Sequence, residues 1–192
     1  MLLKNKLYTI LAAGLMWACT ATENSTETVE TTYQPGSFSN YINSLPQLNL
    51  PLAINSESES FPEPPAGFDT LGFQRYKSQY TVQPVGVVYT NDDYYAVLEY
   101  GVGDYSAIPQ LMVYNREGVK LDSLNPYKVS GHDMGYHANE TVEFSPSSRI
   151  KVTANIVRLD IKDDDEVAGS EKKETKITTY QISDKGKISS VN

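Results

Sequence analysis

Apolar and polar residues alternate over short segments along most of the chain after residue 47. In Leu48–Ile54 every second position holds Leu or Ile, which indicates a half-buried strand, and Pro51 places it at a sheet edge because proline cannot donate to a ladder. Further β-prone runs are Val85–Thr90, Tyr94–Tyr100, Leu111–Tyr114, Val119–Leu124, Thr141–Ser145, Arg149–Ile161, Thr178–Ile182 and Lys187–Val191. In the run that begins at Arg149, the apolar positions change face near Ile156 and Val157, which predicts a bulge or bend there.

Short polar linkers separate these runs and predict tight hairpin turns. Asn115–Gly118 and Ser183–Gly186 both place Gly fourth, which is typical of a type I turn with a left-handed last residue and a following bulge. Phe38–Leu45 predicts a short helical turn with Ser37 as its N-cap, whereas no later segment shows a helical period. The charged segment Asp163–Glu174 predicts a loop.

These elements predict an all-β fold for residues 38–192, an antiparallel meander of about eight to ten short strands. The meander would either close into a barrel-like structure or fold into a sandwich, and the pattern is compatible with both. Only a barrel would enclose an internal cavity. A chain of 192 residues with 40% hydrophobic and 21% charged residues suffices for one buried core, so we expect a single domain.

The first nineteen residues follow a different pattern. Lys4 and Lys6 precede an apolar run, Leu7–Ala18, which as a helix would span about 18 Å and is too short for a bilayer core of roughly 30 Å. We therefore interpret residues 1–18 as a signal peptide and not as a membrane-spanning helix. Residues 19–37 are rich in Thr and Glu and poor in apolar side chains, which predicts a disordered tether before the β domain.

The end of the apolar run, Leu15–Cys19 (LMWAC), resembles the lipobox of bacterial lipoproteins, although that family prefers other residues where Met16 and Trp17 stand. The resemblance implies that signal peptidase II cleaves before Cys19 and that acyl chains on Cys19 hold the protein in the membrane. Because Thr20 and not Asp follows the Cys, the sorting rule of Gram-negative lipoproteins implies the outer membrane, with the side left open. In architecture and turn style, the rest of the chain resembles small β-rich envelope lipoproteins of unknown function.

Charge and cysteine content exclude several classes of function. The net charge of −8, which becomes −10 when Lys4 and Lys6 leave with the signal peptide, excludes nucleic-acid binding through phosphate contacts. A single Cys excludes internal disulfides, Cys-rich zinc sites and iron–sulfur clusters. The sequence also lacks the nucleophile-elbow, P-loop, dinucleotide-binding and zincin motifs, and we expect no cofactor.

Both histidines of the chain lie in one glycine-containing segment. His132, Asp133 and His137, together with Glu140 or Glu143, could ligate Zn²⁺ or another divalent metal, because imidazole and carboxylate are common ligands of such ions. Their spacing is not the i, i+4 pair that a helix presents on one face, and the same residues are typical of an exposed polar turn. We favour the turn and expect no metal site.

Tyrosines in the run Tyr94–Tyr100 are the other candidates for binding. Tyr94 and Tyr100 share one strand face, and Tyr95 lies on the opposite face. Tyrosine rows form platforms for sugars or peptides, but Tyr is also favoured in strands for packing. We favour packing for all three.

Together these features predict a lipid-anchored protein of the cell envelope that acts as a binding or scaffolding module. Its partners would be the membrane, through Cys19, and a protein, glycan or small-molecule ligand, but no nucleic acid. Two alternatives stay open. One is a metal-dependent hydrolase that uses His132, Asp133 and His137, and the other is a lipocalin-like carrier, which requires a closed barrel with an apolar cavity.

Overall fold

The computed structural model describes residues 34–57, 62–103 and 107–191. The predicted signal peptide (residues 1–18), Cys19 and most of the predicted tether (residues 19–37) lie outside this part of the chain. Within the described ranges, no helix has the length and apolar character needed to cross a membrane.

Two short helices and twelve strands form the described part of the chain. The helices are α1 (Phe38–Asn43) and α2 (Thr70–Tyr76). The strands are β1 (Leu52–Asn55), β2 (Thr81–Thr90), β3 (Tyr94–Val102), β4 (Ala107–Asn115), β5 (Lys120–Leu124), β6 (Gly131–Asp133), β7 (Tyr136–Phe144), β8 (Arg149–Arg158), β9 (Ile161–Lys162), β10 (Asp165–Glu166), β11 (Lys172–Ile182) and β12 (Ile188–Val191).

The strands form two antiparallel sheets and a small ribbon. The four-stranded sheet has the order β2-β3-β4-β5, and the six-stranded sheet has the order β1-β7-β8-β11-β12, with β6 also paired to β7. Strands β9 and β10 form the ribbon. The antiparallel β-rich fold is therefore confirmed, and because the described strands do not close into one sheet, the sandwich is the alternative that fits.

The larger core lies between the two sheets. On β3 it includes Tyr94, Leu98 and Tyr100, and on the six-stranded sheet it includes Val142 and Ile150. Every one of these side chains is at most 5% exposed. Burial of one large apolar side chain contributes about 1.5–3 kcal/mol, so this layer is a main source of stability.

A second core lies on the other face of the four-stranded sheet, where the two helices cover it. Phe38 and Tyr41 of α1 pack there against Val97 of β3 and Met112 of β4. The predicted helical turn is confirmed, since α1 begins after Ser37, whose side chain accepts a hydrogen bond from the backbone N–H of Asn40. The alternation along β3 thus divides its side chains between two cores, which is why the strand is buried on both faces.

Helix α2 contradicts the expectation that no helical segment follows residue 45. The helix has seven residues, and only Gly72 and Phe73 are buried, so its sequence shows no readable apolar period. Asp69, the N-cap of this helix, stabilises it by one hydrogen bond within the helix and one to a distant part of the chain. Its Oδ1 accepts from the Gly72 N–H (3.1 Å), and its Oδ2 accepts from the Gly36 N–H (2.9 Å).

Two further expectations are wrong along the six-stranded sheet. Strand β8 pairs without a register shift through Ile156 and Val157, so the predicted bulge is absent, and the strand ends at Arg158. The predicted loop Asp163–Glu174 contains β10, which pairs with β9 just before the segment, and the start of β11. The first half of β11 is exposed on both faces, so it lacks the apolar alternation by which a strand is recognised.

Glu99 on β3 is a carboxylate that is fully buried (0% exposed) below the helices. Its Oε1 accepts a hydrogen bond from the Tyr41 hydroxyl (3.2 Å). Its Oε2 accepts from the Ser78 N–H (3.0 Å) and the Thr81 hydroxyl (2.8 Å). Burial raises the pKa of Glu99, and these hydrogen bonds and Lys77 oppose that rise only in part.

We expect Glu99 to make the protein less stable as the pH rises above 4.5, the ordinary pKa of a Glu carboxyl. In that window the unfolded chain has released the proton that folded Glu99 still holds, so the free energy of unfolding falls until the raised pKa is passed. Glu99→Gln stays neutral and should flatten this fall. Denaturant unfolding at several pH values measures it. Glu143→Gln, a matched exposed control, should keep the wild-type slope, and equal slopes for wild type and Glu99→Gln would contradict the prediction.

Candidate functional site

A cleft of about 770 Å³ opens at one end of the sandwich. The four-stranded sheet contributes the end of β3 and the start of β4, and the six-stranded sheet contributes β6 and the start of β7. Between them runs the loop 125–130, which connects β5 to β6. The lining residues are Ser56, Glu57, Val102, Gly103, Ile108, Asn125, Tyr127, Lys128, Ser130, Gly131, His132, Asp133, Tyr136, His137 and Ala138.

The site is built where β1 and β6 pair one after the other with the same edge of β7. At the junction, the Ser56 N–H donates to the carbonyl oxygen of Glu140, and the Glu140 N–H donates to the Ser56 hydroxyl, both at 2.8 Å. This exchange continues the β1 ladder by one residue beyond Asn55. It brings Glu57 alongside the β6–β7 hairpin.

The buried carboxylate of Glu140 holds the loop that forms one side of the cleft. Its Oε2 accepts hydrogen bonds from three successive backbone N–H groups, those of Lys128 (2.7 Å), Val129 (2.9 Å) and Ser130 (2.9 Å). Hydrogen bonds to a charged acceptor are stronger than neutral ones. The loop is therefore fixed by a side chain of the sheet on which it lies.

Tyr136 fixes the same loop from the start of β7. Its hydroxyl donates to the Val129 carbonyl oxygen at 2.7 Å. The guanidinium of Arg158 lies 4.9 Å from the centre of its ring, which is the distance of a cation–π contact. This wall of the cleft is thus ordered by contacts within the protein.

The β6–β7 hairpin turns over two residues, Met134 and Gly135. Gly135 has a φ of 69°, a backbone conformation that residues with a side chain rarely adopt. A Cβ there would also lie 2.9 Å from the carbonyl oxygen of Leu159. The turn therefore needs Gly, and it sets His132 directly opposite His137 in the register of the hairpin.

The two histidines contact each other at the edge of the cleft. Their Nδ1 atoms are 3.3 Å apart. The Nε2 atom of His137 lies 3.1 Å from Oε1 of Glu57, and the Asn139 amide donates to that same oxygen at 3.1 Å. The structure thus brings both predicted histidines together with a carboxylate that sequence reasoning missed, since Glu57 lies 80 positions before His137.

The other carboxylates considered in the sequence analysis do not join the histidines. Asp133 uses its Oδ1 to accept from the Met134 N–H (2.8 Å). Glu143 lies on the solvent side and pairs with Lys151 at 3.2 Å, while Glu140 holds the loop. Among the described residues, no group of three or more His, Cys, Asp and Glu side chains is arranged to hold a metal ion.

The three candidate tyrosines lie away from the cleft lining. Tyr94 and Tyr100 are 3% and 5% exposed in the core between the sheets. Burial raises the pKa of Tyr100 to about 12, as expected for a phenol removed from water. Tyr95 is half-buried, and the Arg116 guanidinium lies 4.0 Å from its ring centre. These positions match the packing role that we favoured over a ligand platform.

The geometry thus defines a cleft with both polar and apolar lining, which carries a pair of imidazoles backed by a carboxylate. We compared the chain with protein-family models, curated proteins and solved structures, and none of them matches it.

Proposed function

We propose that this protein is a lipid-anchored protein of the cell envelope whose sandwich acts as a binding module and takes its ligand into the cleft. The observation that carries the binding role is the cleft itself. Its volume of about 770 Å³ falls in the range of about 300–1,000 Å³ that is typical of small-molecule sites. Glu140 and Tyr136 hold its wall in place, so a ligand would not have to order the loop on binding.

The lining indicates a polar ligand. Asn125, Ser130 and Lys128 supply hydrogen-bond donors, and Glu57 supplies an acceptor. Val102 and Ile108 add apolar surface at one side. We propose a polar small molecule or the end of a glycan, since such ligands combine several hydrogen-bonding groups with limited apolar area.

The anchoring part of the proposal rests on the first nineteen residues. A positively charged start, a twelve-residue apolar run and Ala18 directly before Cys19 are the features expected of a lipoprotein signal. Acyl chains on Cys19 would hold the protein to the membrane, and Thr20 favours the outer membrane. The anchor would then keep the cleft close to the membrane surface, where it would bind molecules of the cell envelope.

The two alternatives need features that differ from the described site. A hydrolase based on His132, Asp133 and His137 needs all three groups around one point, but the Asp133 carboxylate accepts from its own turn. A lipocalin-like carrier needs a closed sheet around an apolar cavity. The described strands form two sheets, and the cleft lies at the end of the sandwich.

Gly131→Trp should abolish ligand binding and leave the fold intact. A Cβ at this lining position meets no atom within 4 Å, so the ring can occupy the cleft without a backbone shift. Ser190→Trp, on β12 at the opposite end of the six-stranded sheet, is the matched control.

The measurement is a thermal-shift screen of the full chain with envelope glycans, peptidoglycan fragments and polar metabolites. A ligand at a hundredfold excess over its Kd stabilises the native state by about 2.7 kcal/mol. We expect compounds that stabilise wild type and Ser190→Trp but not Gly131→Trp. Compounds that stabilise Gly131→Trp as well as wild type would contradict binding in the cleft.

A further inference from the structure

The two histidines of the cleft are spaced as ligands of one cation are. Their Nδ1 atoms lie 3.3 Å apart. Two nitrogens that each bind a tetrahedral Zn²⁺ at about 2.0–2.1 Å lie roughly 3.3–3.4 Å from each other. Without a metal ion the same separation allows a hydrogen bond between the rings, so one geometry serves both states of the site.

The hydrogen bond behind His137 sets which of its nitrogens is free. Nε2 lies 3.1 Å from a Glu57 oxygen, and because a carboxylate only accepts, the ring proton is on Nε2. In the neutral ring, Nδ1 then carries the lone pair, and it points at His132. Histidine ligands of metals commonly donate their other N–H to a carboxylate in this way.

Glu57 is itself held in position, which makes the arrangement more than a chance surface contact. The Asn139 amide donates to the same carboxylate oxygen at 3.1 Å, from the next residue of β7 on the same face as His137. The series Asn139, Glu57, His137 and His132 therefore runs along one side of the hairpin and ends at the two facing Nδ1 atoms.

We propose that His132 and His137 bind one divalent transition-metal ion through their Nδ1 atoms, with Glu57 as a positioning residue for His137. Imidazole nitrogens suit Cu²⁺, Zn²⁺ and Ni²⁺, and Cu²⁺ binds most tightly to such a site. Among the described residues only these two nitrogens are placed to bind the ion, so its remaining positions are left for water or donor atoms of a ligand. The site reverses the expectation of an exposed turn without metal, and it does not depend on what else the cleft binds.

The test uses Cu²⁺ on the full chain carrying Cys19→Ser, because a free thiol would bind copper itself. At one equivalent of Cu²⁺, the electron paramagnetic resonance spectrum should show coupling to two nitrogens. His132→Ala and His137→Ala should each leave one nitrogen and weaken binding at least tenfold in a competition titration. Glu57→Ala should keep two nitrogens and weaken binding about tenfold, as is typical for loss of a group that orients a ligand.

Glu143→Ala is the matched control, since it removes an exposed carboxylate of β7 that pairs with Lys151 and does not line the cleft. It should keep the affinity and the two-nitrogen spectrum of the parent. All variants should melt at the parent temperature without metal, which confirms their fold. A spectrum without nitrogen coupling, or a loss of affinity in only one of the two His→Ala variants, would overturn the proposal.

Discussion

Glu140→Ala should lower the free energy of unfolding by about 3 kcal/mol and open the cleft. The change leaves three backbone N–H groups, those of Lys128, Val129 and Ser130, without their carboxylate acceptor. Each hydrogen bond to a charged group contributes about 1.5–3 kcal/mol, and water replaces part of this at a partly exposed loop. The loop 125–130 should then lose its fixed position, and ligand binding should weaken with stability.

Two matched variants separate this role from a general effect of charge. Glu140→Gln retains one oxygen as an acceptor but loses the charge, so its loss of stability should be intermediate. Glu143→Ala removes an exposed carboxylate three positions along the same strand, where the ion pair with Lys151 is worth at most about 1 kcal/mol. Urea unfolding measures all three. A Glu140→Ala protein within 1 kcal/mol of wild type would show that the loop holds itself, on the scale of a typical single hydrogen bond.

Cys19→Ser should abolish acylation of the protein and the stable anchoring that the acyl chains give. Each buried CH₂ of an acyl chain contributes about 0.8 kcal/mol, and two or more chains give stable anchoring, so the wild-type protein should stay in the membrane pellet through washes in high salt. Salt would release a protein held only by surface charge. The variant should accumulate as uncleaved precursor or as soluble periplasmic protein.

Cell fractionation with a clickable palmitate analogue tests this prediction. The label should be lost in Cys19→Ser, and any cleaved Cys19→Ser protein should be soluble, while Thr20→Ser, a neighbouring change that keeps the thiol, should keep both label and membrane association. The β domain of Cys19→Ser should still resist limited proteolysis, because in the described part of the chain the core residues all lie at or after residue 38. Label on Cys19→Ser, or an unlabelled soluble wild type, would end the lipoprotein proposal.

Much of the fold could be predicted because successive side chains of a strand alternate between its two faces. On β3, for example, Tyr94 and Tyr100 lie on one face and Tyr95 on the other. The turns at Gly118 and Gly186, with φ of 84° and 73°, could be predicted from the position of Gly in each linker. The predictions fail where the buried residues of a strand or helix do not recur at the period of that element. The start of β11 is exposed on both faces and reads as a loop, and α2 is too short to show a helical stripe.

The candidate site could be predicted only in its local part. Because His132 and His137 are close in sequence, their proximity could be predicted. Glu57 and Asn139 join them only through the pairing of β1 and β6 with β7. That pairing depends on a register between distant strands. Glu140 shows the same limit, because a buried acid on a strand looks like a metal ligand until the loop that it holds is known.

Synthesis of the chain reaches β1 long before the strand with which β1 pairs. Asn55 lies 86 positions before Thr141, its partner both in register and through a side-chain hydrogen bond. Contacts at such separation require the closure of a long loop and form slowly. A nascent chain therefore carries β1 and Glu57 unpaired until β7 has emerged, and the cleft is completed only when most of the chain exists.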